Sequence, residues 1–413
     1  MSISSGTSTL FVITLLLIAG CADQQTKVGL DRVSEYSDLF CGKRIGIITN
    51  HTGYNSEGKH IVDVFAQMEG VTVTALFGPE HGIRGKKEAG AKVDSEHDLT
   101  RQLPIYSLYG KTRKPTAEML ESVDILVFDI QDIGARFYTY VYTMALAMEA
   151  AAEHGKQFIV LDRPNPITGA LVEGNILESG FATFVGLYPI PVRHGMTVAE
   201  LARMFNEEGW LGNGVCSELC VIPVSGWHRK QWYDETGLRF VAPSPNMPNI
   251  ETATVYPGTC LLEGTNISEG RGTDTPFRVF GAPWIEGDAL AAHLNQLNLP
   301  GVTFTSRSFT PKTISGKAVN PKYEARECFG AQLHVTNRLT FEPYWTGIRI
   351  VNSIFRLYPD SLRWHVRHFD RLCGTDKVRL AIEGRADLDA LRASWQRGLT
   401  DFRVIRKKYL MYD

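Results

Sequence analysis

Short apolar runs alternate with helical patterns along the first half of the chain. Four runs have the length and composition of buried strands: residues 43–49, 71–77, 124–130 and 157–161. Between them, residues 61–68 and 142–154 repeat apolar positions at the spacing of an amphipathic helix. Because the strands of a parallel sheet are buried on both faces, this order predicts an α/β fold with helices on both sides of a parallel sheet. In such a sheet, ligands bind beyond the carboxyl ends of the strands.

The pattern restarts after about residue 274. We predict a helix over residues 287–297, strands over 302–306 and 347–351, and a final helix over 388–398. A boundary between two domains is therefore expected within residues 275–282. The length of 413 residues also fits two or three domains, each large enough to bury its own core.

The first twenty residues have the pattern of an export signal. Residues 10–19 form an apolar run that is too short to span a bilayer but fits the apolar region of a signal peptide. The run ends in Ile18-Ala19-Gly20-Cys21, which resembles the lipobox of bacterial lipoproteins. We therefore predict a signal peptide of residues 1–20 and lipidation of Cys21, although residues 1–9 contain no Lys or Arg. A plain secretory signal is the alternative.

Charge and cysteine content narrow the range of partners. The chain has 43 Lys and Arg against 45 Asp and Glu, a formal net charge of −2, so no nucleic-acid partner is expected. Of the seven cysteines, six remain after Cys21, and export would allow disulfides whose pairing the sequence leaves open. Cys216 and Cys220 lack the second pair of ligands that a zinc site needs, so buried thiols or one disulfide are favoured.

Motifs for several common chemistries are absent from the sequence. It contains no glycine-rich dinucleotide fingerprint after the first strand, no phosphate-binding P-loop, no serine-hydrolase elbow and no His-Glu-x-x-His pattern. We therefore expect neither a metal nor another cofactor. Instead, polar loops follow three of the predicted strands, at residues 78–82, 131–136 and 162–166. Two further loops rich in Gly, Pro and polar residues lie at 244–249 and 261–275.

Carboxylates are concentrated in and beside these loops: Glu80, Asp129, Asp132, Glu263 and Glu269. A carboxyl group near apolar walls or other carboxylates acquires a raised pKa, which a general acid needs in order to protonate a glycosidic oxygen. An acid and a second carboxyl are the minimum equipment of most glycosidases. The sequence therefore favours a glycoside hydrolase.

Each of these residues also has a purely structural interpretation. Glu80 would cap a helix after the strand, and His81 would only hold Glu80 in place by a hydrogen bond. Asp129 would satisfy loop amides, and Glu269 would form an ion pair with a neighbouring arginine. Three arginines are candidate donors for a carboxylate on a ligand: Arg136, Arg163 and Arg271.

Six multi-residue motifs occupy these loops and their surroundings. They are Gly-Pro-Glu-His-Gly-Ile-Arg-Gly at 78–85, Phe-Asp-Ile-Gln-Asp-Ile-Gly-Ala-Arg-Phe-Tyr at 128–138, Asp-Arg-Pro-Asn-Pro at 162–166, Pro-Val-Arg-His-Gly-Met-Thr at 191–197, Ser-Pro-Asn-Met-Pro at 244–248 and Glu-Gly-Thr-Asn-Ile-Ser-Glu-Gly-Arg-Gly-Thr at 263–273. Together and in this order, they resemble the NamZ-type exo-β-N-acetylmuramidases, long catalogued as a family of unknown function. The resemblance implies a Rossmann-like catalytic domain over residues 21–278, a smaller α/β domain over 279–413, and an active-site cleft between them.

The resemblance also implies a reaction. It is the removal of terminal N-acetylmuramic acid from the non-reducing end of peptidoglycan fragments, MurNAc-GlcNAc disaccharides and longer, in cell-wall turnover. Glu80 is then the general acid, and Glu269 and Glu263 are the candidates for the second carboxyl. Alternatively, the 2-acetamido group of the substrate is the nucleophile and the second carboxyl orients it.

A site that selects N-acetylmuramic acid needs a cation for its lactyl carboxylate, and we expect Arg271 in this role, with Arg163 as the alternative. Substrate contacts are expected from seven residues: His81, Asp129, Arg136, Arg163, Asn246, Asn266 and Arg271.

Export and lipidation would place the protein in the cell envelope, anchored to the membrane through Cys21, on the periplasmic side of the outer membrane in a Gram-negative cell. The alternative function is a non-catalytic envelope lipoprotein that binds muropeptides in the same cleft. A hydrolase of another amide or ester bond is a third possibility, but the sequence lacks the nucleophile elbow or metal ligands that it would need.

Overall fold

The computed structural model of this protein describes residues 25–85, 95–98 and 101–413. The predicted signal peptide and the predicted lipidation site Cys21 lie outside the described residues. Within them, the strands are β1 (Arg44–Thr49), β2 (Thr72–Gly78), β3 (Glu96–Asp98), β4 (Leu103–Ser107), β5 (Ile125–Asp129), β6 (Gln157–Leu161), β7 (Glu173–Ile176), β8 (Pro191–Arg193), β9 (Leu219–Ile222), β10 (Val279–Ala282), β11 (Val302–Phe309) and β12 (Cys328–Val335).

The helices of the described residues are α1 (Ile61–Ala66), α2 (Ala117–Leu120), α3 (Tyr140–Glu153), α4 (Val198–Glu207), α5 (Ile250–Thr259), α6 (Gly287–Gln296), α7 (Pro343–Leu357), α8 (Val366–Cys373), α9 (Lys377–Glu383), α10 (Leu388–Ser394) and α11 (Gln396–Lys407). Every one of them is too short or too polar to cross a bilayer.

The central sheet has the strand order β3-β4-β2-β1-β5-β6-β9. All neighbouring strands from β4 to β9 pair in parallel, and β3 joins the edge antiparallel to β4. The predicted α/β fold with a parallel sheet is therefore confirmed. The four strands predicted in the first half of the chain are β1, β2, β5 and β6. Strands β2 and β4 follow β1 toward one edge of the sheet, and β6 and β9 follow β5 toward the other edge. The topological switch point therefore lies between β1 and β5.

Apolar side chains cover both faces of this sheet. β5 is buried at all five positions, with Leu126 and Phe128 in one apolar cluster and Ile125 and Val127 in the other. Helix α3 belongs to the first cluster, and α1 belongs to the second. Burial on both faces explains why these strands are continuously apolar instead of alternating with polar residues.

A smaller antiparallel sheet follows, with strand order β10-β12-β11 and helix α6 packed against it. The strand predicted at residues 347–351 is wrong, because these residues lie within α7. A short apolar run fits a buried helix as well as a strand. Gly347 of α7 and Gly258 of α5 bring the two backbones into contact, and a Cβ on either glycine would collide with the opposite helix.

The last predicted helix, residues 388–398, is two helices in the structure. Helix α10 ends at Ser394, and α11 runs from Gln396 to Lys407, with Trp395 between them. The ring of Trp395 packs against Tyr344 and Trp345 of α7. This packing holds the C-terminal helices on α7.

Candidate active site

A cavity of 440 Å³ lies where the loop after β2 faces the segment that follows α5. Its wall combines side chains from both halves of the chain. Those that carry chemistry are Glu80, Tyr109, Thr139, Glu263, Glu269, Arg271, Lys317, Lys322 and His368. Phe137, Tyr256 and Leu372 contribute apolar surface. A concave site with apolar walls and converging polar groups is the usual form of a small-molecule site.

Glu80 enters the cavity from the carboxyl end of β2. Strand β2 ends at Gly78, and His81 and Gly82 both adopt left-handed backbone (φ 70°), so the chain turns sharply after Glu80. Residues 81–85 form turns and no helix. The Thr139 hydroxyl donates a 2.8 Å hydrogen bond to Oε2 of Glu80. Burial, together with the charge and hydrogen bond of Glu80, holds the pKa of Tyr109 well above its ordinary value. Glu80 is therefore bounded by two hydroxyl groups.

Glu263 lies on the opposite wall, in a 3₁₀ turn (Cys260–Gly264) directly after α5. Both Nε and Nη2 of Arg271 donate hydrogen bonds to its Oε1, the former at 3.1 Å. His368 Nε2 lies 3.7 Å from its Oε2. Burial alone would raise the pKa of Glu263, but the charge and hydrogen bonds of Arg271, together with the nearby His368, outweigh burial and lower it to about 2. Glu263 is therefore ionised at neutral pH.

Glu269 is 4% exposed and lies between two cations. Arg271 Nε is 3.3 Å from its Oε1, and Lys322 Nζ is 3.1 Å from its Oε2, at ion-pair distance but without hydrogen-bond geometry. Lys322 Nζ also donates 2.9 Å hydrogen bonds to the carbonyls of Leu262 and Ile267. Lys322 thus ties a distant loop to the segment that carries both glutamates.

The cavity therefore offers two different carboxyl environments. On one wall, Glu80 is bounded by the hydroxyls of Thr139 and Tyr109. On the other wall, Glu263 and Glu269 share Arg271. Contrasting environments give two carboxyl groups different pKa values, so that one can donate a proton while the other stays ionised. The arrangement can carry out acid-assisted displacement at a carbon centre between the two walls.

Asp129 and Arg163 lie outside this cavity. Asp129 ends β5 and is fully buried, and Arg163 donates to both of its carboxylate oxygens, through Nε and through Nη2, the latter at 2.8 Å. Arg163 instead lines a second cavity, of 650 Å³, beyond the carboxyl ends of β1, β5 and β6. The structure thus pairs these two predicted substrate contacts with each other.

Arg136 is completely buried and also lies outside the 440 Å³ cavity. Its Nη1 donates to the carbonyls of Asn175 (2.8 Å) and Ile190 (3.0 Å), and its Nη2 donates to those of Leu372 (3.2 Å) and Cys373 (2.7 Å). The last two carbonyls belong to the C-terminal turn of α8, where a cation is favourable. In this structure Arg136 fastens α8 to the N-terminal half of the chain.

The remaining predicted contacts are placed as follows. Asn266 exchanges hydrogen bonds with the 361–363 segment, donating to the carbonyl of Ser361 at 2.9 Å. Asn246 is 4% exposed and donates to the carbonyl of Lys317 at 2.6 Å, so it holds the loop that carries Lys317. His81 is 6% exposed and follows Glu80 in the turn.

Several cavity residues were missed by sequence reasoning: Tyr109, Thr139, Lys317, Lys322 and His368. Thr139 had a usable signal, because it follows directly on the 128–138 motif. Lys317 and Lys322 lie in a loop with Gly316 and Pro321, which marks irregular backbone but no chemistry. His368 lies in an ordinary helical pattern and had no signal.

The cysteines of the described residues form neither a disulfide nor part of a metal site. The six cysteines of the described residues are free thiols: Cys41, Cys216, Cys220, Cys260, Cys328 and Cys373. Among the residues that the structure describes, no three His, Cys, Asp or Glu side chains are grouped in a way that would hold a metal ion.

Known proteins resemble this chain along most of its length. Residues 45–251 match the family model described as exo-β-N-acetylmuramidase NamZ, N-terminal, and residues 254–412 match the corresponding C-terminal model. The peptidoglycan β-N-acetylmuramidase NamZ of Bacillus subtilis (strain 168) is 49% identical over 390 residues, which is 94% of this chain and 92% of that protein.

Two crystal structures of DUF1343 family proteins from Bacteroides fragilis NCTC 9343 are also similar. One has 38% identity and a TM-score of 0.86, and the other has 35% identity and a TM-score of 0.76. Each comparison covers 94% of this chain and 99% of the other chain.

Proposed function

This chain belongs to the NamZ family of exo-β-N-acetylmuramidases, and from that premise we propose that it is an exo-acting glycoside hydrolase. Its proposed reaction is the release of terminal N-acetylmuramic acid from the non-reducing end of peptidoglycan fragments. The observation that carries this proposal is the convergence of Glu80 with Glu263 and Glu269 in one 440 Å³ cavity, from segments far apart in the chain.

Glu80 is the proposed general acid. Glu263 is unsuited to donate a proton at neutral pH, because its pKa is lowered to about 2. Glu80 contacts hydroxyl groups, and its proton would pass to the glycosidic oxygen as the bond from that oxygen to the anomeric carbon breaks. Water then adds to the sugar, and the proton that the water loses returns to Glu80. The Thr139 hydroxyl fixes Oε2 of Glu80 during both steps.

Glu269 is the proposed second carboxyl. It contacts two cations, Arg271 and Lys322, so it is suited to an anionic role facing the positive charge that develops on the sugar ring. In that role it either attacks the anomeric carbon or orients the 2-acetamido group that does so. Glu263 supports this role by holding Arg271 in position.

Lys317 is the proposed partner of the lactyl carboxylate. Arg271 is already shared by two glutamates, and Lys322 is engaged by Glu269 and two carbonyls. The Lys317 ammonium lines the same cavity and has no hydrogen bond or ion pair with any residue that the structure describes. An unpaired cation favours a sugar that brings its own carboxylate.

Export and anchoring complete the proposal. The lipobox-like Ile18-Ala19-Gly20-Cys21 supports lipidation at Cys21, on the envelope side of the membrane where peptidoglycan fragments occur. We expect catalysis itself not to depend on the anchor, because every lining residue that the structure describes follows Cys21.

Release of free N-acetylmuramic acid tests the proposed function. The purified protein is incubated with the disaccharide MurNAc-GlcNAc and, separately, with a chromogenic β-N-acetylmuramide and the matching β-N-acetylglucosaminide. We expect N-acetylmuramic acid from the first two substrates and much slower cleavage of the third. Cleavage of neither muramide would refute the proposal, and equal cleavage of both chromogenic sugars would refute the assigned specificity.

A further inference from the structure

The 650 Å³ cavity that Arg163 lines is separate from the catalytic one. It lies at the topological switch point of the central sheet, where β1 and β5 meet. His51 and Thr52 follow β1, Gln131 follows β5, and Arg163 follows β6, and all four line it. In open α/β sheets this crevice is the usual place for a ligand. The catalytic cavity leaves this position unused.

The floor of this switch-point cavity is polar but carries no net charge. Arg163 is 4% exposed and is neutralised by its two hydrogen bonds to Asp129. Its Nη2 also donates to the carbonyl of Tyr54 at 3.0 Å, while Nη1 makes no hydrogen bond with any described residue. Gln131, which is 3% exposed, leaves its Oε1 without a partner among those residues. The floor therefore has one donor, Arg163 Nη1, and one acceptor, Gln131 Oε1, without a partner among the described residues.

The walls of the switch-point cavity are partly aromatic and aliphatic and partly polar. Tyr54 is 38% exposed, whereas Tyr233 is only 4% exposed. Val28 and Leu238 add aliphatic surface. A ligand that fits has one face of C–H groups for the rings and an edge of hydroxyl and amide groups for Arg163 and Gln131. N-acetylated amino sugars have this combination.

A nucleotide or another phosphate ligand fits poorly. The guanidinium of Arg163 is already balanced by Asp129, and the other two charged lining residues, Glu57 and Arg239, have opposite signs. The cavity therefore offers no excess positive charge to a phosphate. The turn after β1 has no glycine-rich phosphate loop, and α1 beyond it has only six residues. The chemistry of the cavity therefore favours a neutral sugar.

A third cavity joins the other two. It has a volume of 560 Å³, shares His51 and Val241 with the switch-point cavity, and shares Lys317 with the catalytic cavity. The three cavities are therefore neighbours in a row. A chain of sugars whose terminal residue is bound beside Glu80 would extend along this row.

We propose that the switch-point cavity is a distal subsite for an N-acetylated amino sugar on the leaving-group side of the glycan chain. This inference rests on the proposed exo-muramidase function, because it takes the sugar to belong to the chain being shortened. It gives the enzyme a preference for long fragments over the disaccharide. Tyr54 provides the stacking surface, and the Asp129–Arg163 pair provides the oriented donor.

Chain-length dependence of hydrolysis tests this subsite. The value of kcat/KM is measured for the chromogenic muramide, the disaccharide and chains of increasing length, with wild type, Tyr54→Ala and Tyr54→Phe. In wild type we expect kcat/KM to rise with length by about fivefold to tenfold, the effect of one aromatic contact. Tyr54→Ala should lose this gain and cleave the chromogenic muramide normally, which also shows that it is folded. Tyr54→Phe should retain the gain.

A binding measurement separates failure of the subsite from failure of the proposed function. Titration with an N-acetylglucosamine tetramer needs no turnover, and we expect Tyr54→Ala to bind it about fivefold to tenfold more weakly than wild type or Tyr54→Phe. A protein that cleaves no muramide but shows this difference would refute only the function. Equal binding by all three proteins, or activity independent of chain length in wild type, would overturn the subsite. Preferential binding of a nucleotide or a stem peptide that Tyr54→Ala abolishes would also overturn it.

Discussion

The guanidinium of Arg271 is held by Glu263, with Nε 3.1 Å from Oε1 and Nη2 donating to the same oxygen. The ring of Phe277 packs against the guanidinium, with its centroid 5.1 Å from Cζ. The remaining contact of Nε is with Glu269. This arginine is therefore part of the framework that positions two glutamates, and the lactyl carboxylate of the substrate needs another cation.

Lys317→Met should remove selectivity for N-acetylmuramic acid. Loss of a charge-assisted contact to a buried carboxylate costs roughly 2 kcal/mol or more, so kcat/KM for the chromogenic muramide should fall about thirtyfold. The matching glucosaminide has no lactyl carboxylate, and its slow cleavage should hardly change. Steady-state kinetics on the two substrates measures the ratio.

Arg271→Met is the comparison for Lys317→Met. It should lower activity on both sugars together, because it releases Glu263 and Glu269. A selective loss on the muramide in Arg271→Met, with no selective loss in Lys317→Met, would return the lactyl contact to Arg271, as the sequence alone predicts.

Arg136→Met should destabilise the protein without touching the catalytic cavity. The substitution removes one donor from each of four buried carbonyls, two of them at the end of α8. The carbonyls of Ile190 and Cys373 each keep a second donor, and we expect a loss of about 3 kcal/mol or more in the free energy of unfolding. Urea denaturation measures it. Arg203→Met, which removes an exposed pair with Glu207, should change stability by less than about 0.5 kcal/mol. Equal stability of the two variants would contradict this role of Arg136.

The contrast between Arg136 and Glu80 shows how far the sequence alone determines the site. Both lie in polar motifs that follow strands, so the sequence pattern does not distinguish a structural residue from one that lines the cavity. Only the tertiary structure directs Arg136 to carbonyls of α8 and Glu80 into the cavity. Likewise, Asp129 and Arg163 follow adjacent strands, as predicted, but they bind each other beside a different cavity. His368 reaches Glu263 from a helix whose own sequence has no chemical signature.

The fold was predictable where the hydrophobic period is unambiguous. Strands β1, β2, β5 and β6 are continuously apolar because helices cover both of their faces, and this pattern identifies them. Residues 347–351 have a similar local composition, but they lie in the buried helix α7, which packs against α5 where Gly347 contacts Gly258. That contact joins α5 to α7. A pattern read over a short stretch of sequence does not reveal it, because the two glycines are far apart in the chain.

Acid should destabilise the protein partly through His194. This residue is 1% exposed, and burial, together with the charges of Arg406 and Arg193, lowers its pKa from 6.5 to about 3. Between pH 6.5 and about pH 3, His194 is therefore protonated in the unfolded chain but not in the folded protein. From pH 7 to pH 5 this difference should cost about 2 kcal/mol of stability.

His194→Gln isolates the contribution of His194. Three buried acids whose pKa is raised to about 7 act in the opposite direction, but they are present in both proteins and cancel: Asp132, Asp162 and Glu173. Urea unfolding at pH 7 and pH 5 should show a smaller loss on acidification in the variant. The same loss in both proteins would rule out His194 as a source of acid sensitivity.

Fatty-acid labelling in cells tests the anchor. Wild type should incorporate a labelled fatty acid and fractionate with membranes, and Cys21→Ser should do neither, because the thiol that carries the lipid is gone. Cys41→Ser, which removes an exposed thiol of the folded protein, is the matched control and should be labelled normally. Full labelling of Cys21→Ser would exclude lipidation at this position.

The most direct test of the catalytic account is the dependence of Glu80→Gln on the leaving group. A folded Glu80→Gln protein should still bind muropeptide but cleave MurNAc-GlcNAc roughly 10² to 10⁴ times more slowly than wild type, because it has no proton to donate. A dinitrophenyl muramide, whose leaving group needs no proton, should recover most of that rate in Glu80→Gln and little in Glu269→Gln. Cleavage of MurNAc-GlcNAc by folded Glu80→Gln at nearly the wild-type rate would contradict the assignment of Glu80 as the general acid.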